Sequence, residues 1–131
     1  MNQDKVNKVV ISAVSTKKLR TLHGRTGITP NILARIALTI SLESPQQLNS
    51  DDQPIDGMEF NGYTLFGDLE TVLISLIRES NALHDRVDGA LSDDIRAHIN
   101  RGVEKLYPRI RTLSDIVRLT ESMISIQSTS E

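Results

Sequence analysis

Residues 15–43, STKKLRTLHGRTGITPNILARIALTISLE, read as two helices joined at Arg25-Thr-Gly-Ile28, the first carrying cations on its outer faces and the second almost wholly apolar. Gly27 suits the end of the first helix, because glycine takes the left-handed C-terminal conformation without steric penalty, while Thr29 and Pro30 offer an N-cap oxygen and a preset first-turn φ. The joint is a sharp turn specified by local chemistry. In the second helix, Pro30 to about Leu42, the residues Ile32, Leu33, Ile36, Ala37, Leu38, Ile40 and Leu42 leave only a narrow polar line, Asn31, Arg35 and Thr39, at i, i+4, i+8. Such a helix is expected to be buried nearly all round. In the first helix Ser15 or Thr16 is the expected N-cap, Leu19 and Leu22 point inward, and Lys17, Lys18, Arg20 and His23 fan across the outer faces. Lysines this near a helix N-terminus oppose the macrodipole, at a cost of about a few tenths of a kcal/mol each, which suits cations kept for a ligand. Gly24 either weakens the last turn or permits close approach of a neighbour or a phosphate.

The rest of the chain bounds what this stretch can serve. A sequence of 131 residues without cysteine is expected to form a single domain, 1–131, with its own core. The absence of cysteine excludes a disulfide framework and a thiolate zinc site, and fits a reducing cytoplasm. No N-terminal apolar run reads as a signal peptide, and Ile28 to Leu42 is interrupted by Arg35 and too short to span a bilayer, so a soluble cytoplasmic protein away from membranes is expected. The net charge of −2 conceals a division along the chain. From Met1 to Leu42, Lys5, Lys8, Lys17, Lys18, Arg20, Arg25 and Arg35 stand against Asp4 alone; from Glu43 to Glu70 there are seven acids and no cation. This is the pattern of a polyanion-binding face held in check by an acidic middle, and equally of a solvated basic helix.

In order, residues 1–7 are expected to be flexible. Lys8-Val-Val-Ile-Ser12 reads as a short strand or extended arm, paired with another copy of the chain or unpaired, since no second convincing strand follows. Residues 44–61 form an acidic loop. Phe60, Tyr63 and Phe66 mark an anchored lead-in to a third helix, with core the commoner role for the rings and base stacking by Tyr63 the rarer one. That helix is expected from about Leu65 to Leu83 with a stripe of Leu65, Leu69, Val72, Leu76 and Leu83, widened by Phe66, Leu73 and Ile77. A fourth, capped by Ser92, has the stripe Leu91, Ile95, Ile99, Val103 and Leu106. A fifth follows Pro108, with Ile110, Leu113, Ile116, Val117, Thr120 and Ile124, before a disordered tail at 127–131. The fold class is mainly α, a compact bundle of about five helices with a short N-terminal strand or extended arm.

Little in the sequence argues for catalysis. His84 with Asp85 and Asp88, or Asp94 with His98, imitates part of a metal site without the further ligand that spacing would have to supply, and reads as surface histidine near carboxylates. No phosphate-cradling glycine motif is present. No metal, cofactor or catalytic residue is expected.

Three blocks, Arg25-Thr-Gly-Ile-Thr-Pro-Asn-Ile-Leu-Ala-Arg-Ile-Ala37, Glu59-Phe-Asn-Gly-Tyr-Thr-Leu-Phe-Gly67, and Ala97-His-Ile-Asn-Arg-Gly102 with Arg109-Ile-Arg-Thr-Leu-Ser-Asp115, together resemble DndE, the small subunit of the bacterial DNA phosphorothioation (sulfur-modification) system. The resemblance spans roughly Lys8 to Leu119. It implies a mostly helical homotetramer that binds nicked double-stranded DNA without catalysing a reaction, and that associates with the other modification subunits, among them a sulfurtransferase-like enzyme and an ATPase. It points to Lys17 and Lys18 as backbone contacts, to which the charge distribution adds Lys8, Arg20, Arg25 and Arg35. Arg35, on the apolar helix, faces either DNA or a carboxylate. Cations on one helix would hold phosphates without reading bases. Two other readings stand beside this one: a structural adaptor of the modification complex, and a strand-helix-helix transcription repressor.

Overall fold

The computed structural model describes residues 6–129 other than 88, with side chains as far as 122. The expectations for Met1 to Asp4, for Asp88 and for the Ile124 side chain fall outside that description, as do residues 130–131 of the tail expected to be disordered, whereas the backbone of 127–129 is helical. Strand β1 (Lys8–Val10) leads into helix α1 (Ala13–Thr26) and helix α2 (Pro30–Leu42). After the acidic loop come β2 (Glu59–Asn61), the short helix α3 (Gly62–Phe66), a 3-10 turn at Gly67–Leu69 and α4 (Glu70–Leu83). Helix α5 (Leu91–Leu106), a second 3-10 turn at Tyr107–Arg109 and α6 (Leu113–Thr129) complete the order. The fold is mainly helical with one small antiparallel sheet, and α2 packed on α5 is its central pair.

The α1–α2 joint forms as local chemistry dictates. Gly27 is left-handed at φ 77° and its N–H donates to His23 O, while Pro30 opens α2 behind an extended Thr29, which makes no side-chain cap bond. The N-cap of α1 is Ser12 and not Ser15 or Thr16: the Ser12 hydroxyl accepts from Ser15 N–H at 3.0 Å, so the helix starts one turn earlier than its polar residues suggest. Leu19 and Leu22 are buried as expected. Helix α2 is buried on one broad side only. Leu33, Ala34, Ala37, Leu38 and Ile40 are in the core, but Ile32 is 38% exposed and the Asn31-Arg35-Thr39 line is half-buried.

β1 pairs within the chain. Its partner is β2, in the register Lys8↔Asn61, Val9↔Phe60, Val10↔Glu59, so neither a second copy nor an unpaired arm is needed. The pairing buries Val9 and Phe60 from the two strands, and Val6, inside the segment expected to be flexible, also belongs to the core.

The third expected helix is two helices. Gly67 at φ 54° separates α3 from α4, so Leu65 and Phe66 are buried but out of phase with α4. Helix α4 consequently buries Leu73, Ile74, Ile77 and Asn81, while Leu69, Val72, Leu76 and Leu83 of the expected stripe are exposed. In α5 the stripe Leu91, Ile95, Ile99, Val103 and Leu106 is buried throughout; Ala90 rather than Ser92 is the N-cap residue. Of the described side chains of the fifth stripe, Ile110 and Ile116 are buried, with Leu119 packed against the core and Leu113, Val117 and Thr120 exposed; a shallow open groove lined by Ile32, Ile36 and Leu69 runs beside Ile116 and Leu119.

Candidate nucleic-acid interface

Each expected phosphate contact can be judged by what its charge already serves. Lys8 lies 3.9 Å from Glu59 across the small sheet, both side chains exposed, a weak pair. Lys18 Nζ donates to Glu104 Oε1 at 2.7 Å and sits 5.4 Å from the Tyr107 ring centre. Arg25 stacks on the same ring at 5.0 Å and donates to Ile110 O at 3.3 Å. Among the described residues Arg35 pairs with no carboxylate: its Nε donates to Leu65 O and its Nη2 to Thr64 O at 3.0 Å, satisfying the last carbonyls of α3. Lys17 and Arg20 are exposed and bound to nothing among the described residues.

Those two free cations stand one turn apart on α1, at the edge of an open cleft of about 690 Å³. The far side of the cleft is Asp56, whose Oδ1 accepts from Ala13 N–H at 2.8 Å, so one acid of the loop occupies the positive end of α1. The loop is fastened there by Gly57 N–H to Ile11 O at 2.8 Å and Met58 N–H to Thr16 Oγ1 at 2.8 Å. Gly57 has no room for a Cβ, which would lie 2.3 Å from Ser12 O. Gly24 faces open space, so it offers nothing to pack against and leaves the last turn of α1 accessible.

Sequence reasoning passed over three residues beside this face. Tyr107, Arg109 and Arg111 follow α5, and the turn Tyr107–Arg109 packs on α1; Arg109 and Arg111 are exposed, with no side-chain partner among the described residues. The signal was the Tyr-Pro-Arg sequence, in which Pro108 forces α5 to end and presents its neighbours on a tight turn. Tyr63, the expected alternative stacker, is 78% exposed, whereas Phe60 and Phe66 are core.

The histidines and acids expected at the surface are otherwise occupied. His98 is fully buried, its Nδ1 2.8 Å from Ser41 Oγ, which also accepts from Arg101 Nε at 2.7 Å. Burial, with the Arg101 and Arg86 charges nearby, pushes its pKa down to about 3, so the ring is neutral. Its Nε2 has no hydrogen-bond partner among the described residues. Asp94 turns away from His98 to the Arg86 guanidinium at 3.2 Å and Asn81 Nδ2 at 3.1 Å, a buried pair that fixes the α4–α5 connection. His84 is held by Ser80 O and Pro45 O. No group of three metal-binding side chains occurs among the described residues, and none of their helices is long and apolar enough to cross a membrane.

A crystal structure of DndE from Escherichia coli B7A, involved in DNA phosphorothioation modification, superposes with a TM-score of 0.64 at 29% identity, covering 77% of this chain and 96% of that one. A DndE mutant structure, at 24% identity and a TM-score of 0.62 over 77% of this chain and 97% of that one, shares the fold. No curated protein matches the chain. The family model described as DNA sulphur modification protein DndE matches residues 8–114, which include both strands and helices α1 to α5, and the chain therefore belongs to the DndE family.

Proposed function

We propose that this chain is a non-catalytic, DNA-binding subunit of the cytoplasmic DNA phosphorothioation machinery, holding double-stranded DNA, with nicked duplex preferred, through backbone phosphates and without strong sequence preference. The observation that carries the reading is the contrast among the six cations: Lys17 and Arg20 on α1 are exposed and unengaged among the described residues, while Lys8, Lys18, Arg25 and Arg35 already serve intramolecular partners. Membership of the DndE family and the phosphorothioation role of the Escherichia coli B7A relative supply the biological setting. Two cations per chain make a weak site, and a homotetramer presenting four such pairs to one duplex would multiply them. A nicked duplex bends onto such a surface at lower cost than an intact one.

Titration of labelled nicked duplex at several salt concentrations tests this. Each phosphate contact adds about 0.9 to the slope of log K against log salt, so Lys17→Glu with Arg20→Glu should weaken binding and flatten the slope by about 2 per engaged protomer. Unchanged affinity in that variant would place the DNA elsewhere.

A second reading, the structural adaptor, is favoured by the exposed apolar row Leu69, Val72, Leu76 and Leu83. Pull-down of the other modification subunits by Leu76→Glu and, separately, by the α1 double variant distinguishes the roles.

A further inference from the structure

Beside the phosphate strip is a pocket of about 390 Å³ lined by Val14, Lys17, Lys18, Thr21 and Tyr107. Its chemistry differs from that of the strip. A site for a bare phosphate needs donors and little else, yet this one is walled by an isopropyl group, an aromatic ring and two lysine stems, with the Lys17 ammonium open at one end and the Lys18 ammonium held by Glu104 at the other. Val14 is 59% exposed on the first turn of α1, so most of this apolar side chain lies open. Tyr107 is fixed by Lys18 and Arg25 at 5.4 and 5.0 Å, so the ring is held in place before anything binds. Thr21 has spent its hydroxyl proton on Lys17 O at 3.0 Å and retains acceptor capacity. The size falls within the range of about 300–1,000 Å³ usual for small-ligand sites.

A flat apolar group joined to an anion fits these walls, and on a DNA-binding face that ligand is an unpaired nucleotide. We propose that the pocket takes one extrahelical nucleotide of the bound DNA, its base against Val14 and Tyr107 and its phosphate on Lys17 and Lys18. The proposal rests on the reading of α1 as the DNA face. Glu104 is then a resident competitor: at 2.7 Å it holds the Lys18 ammonium that the phosphate must share.

The test compares three labelled, hairpin-closed duplexes: one intact, one with a single bulged thymidine, and one with a bulged abasic residue in its place. Stacking of one base on an aromatic side chain is commonly worth about tenfold or more in affinity, so the wild-type protein should prefer the thymidine bulge to the abasic bulge by about tenfold. Tyr107→Ala and Val14→Ser should each shrink that ratio towards one. The ratio is taken within one preparation and is insensitive to the fraction folded. Glu104→Gln should tighten binding of both bulged duplexes several-fold by freeing Lys18. A wild-type ratio near one, together with salt-sensitive binding that depends on Lys17 and Arg20, overturns the pocket and leaves the DNA reading intact. A ratio of ten that survives both wall substitutions overturns the location. Free thymidine monophosphate competing as well as the bulged duplex assigns the pocket to a soluble nucleotide and overturns its role in DNA. Absence of binding to any duplex removes the DNA reading and this proposal with it.

Discussion

Gly102 stands where α5 crosses α2, and a Cβ built on it would lie 1.7 Å from Ala37 O and 2.3 Å from Ala37 C. Real Cβ atoms come no nearer than about 3.0 Å to such a neighbour, so about 1.3 Å must be found by parting the two helices. Neither side has a flexible end to move, since the obstacle is backbone. Parting them loosens Ala34, Ala37 and Leu38 against Ile99, Val103 and Leu106, all in the core. The expected cost of Gly102→Ala is therefore at the upper end of overpacking effects, about 3 kcal/mol or more, even though alanine is the better helix former. For a domain of this size that lowers Tm by about 10 °C. Gly24→Ala is the matched control, since it adds the same methyl group to a helix but meets nothing within 4 Å. It should be neutral or stabilise by up to about 1 kcal/mol. Urea melts followed by circular dichroism report both changes. A Gly102→Ala stability within about 1 kcal/mol of wild type would refute the close-approach reasoning.

Three further outcomes are expected from the described contacts. Folded His98 stays neutral down to about pH 3 while the unfolded chain takes up its proton below about 6.5, so stability from this group is complete above pH 6.5 and declines as pH falls through that window; about 2 kcal/mol should be lost by pH 5, and His98→Gln should remove that loss in paired urea melts at pH 7 and 5. Asp94→Ala strands the Arg86 guanidinium in a largely buried position and should cost about 3–5 kcal/mol, with Arg86→Leu on top restoring part of it in the double-mutant cycle. Lys18→Met, which loses the Glu104 pair, should weaken intact-duplex binding less than Lys17→Met, because the Lys18 charge is already half neutralised; equal losses in a salt titration would contradict the division of α1 into free and engaged cations.

The parts of this fold that were legible from sequence were those whose cause lies within a few residues. Gly27 and Pro30 specify the α1–α2 turn by their own backbone preferences, and the α5 stripe is written at unbroken helical spacing. β2 was not legible because Glu59-Phe-Asn61 is three residues long and becomes a strand only when β1 lies beside it. The α4 phase is not legible for a related reason: a stripe read from Leu65 runs across Gly67, where the helix breaks, and Asn81 is drawn inward by Asp94 and Arg86 rather than by its own character. At the candidate site the sequence supplied the six cations but not their engagement. Glu104 and Ile110, which occupy Lys18 and Arg25, are 86 and 85 residues away along the chain, beyond any local pattern.

The β1–β2 pairing also has a kinetic meaning. Lys8 meets Asn61 only after α1, α2 and the acidic loop have been drawn into one closed circuit, whereas α1 and α2 contact each other across a three-residue joint. Closure of the long circuit carries the larger chain entropy, so the clasp should form after the helical hairpin and reopen before it. Its opening would release Asp56, Gly57 and Met58 from the start of α1 while the α2–α5 pair stays shut. The amides of Ile11, Gly57 and Met58 should then exchange with solvent in an event smaller than global unfolding, one that bares the positive end of α1 next to Lys17 and Arg20.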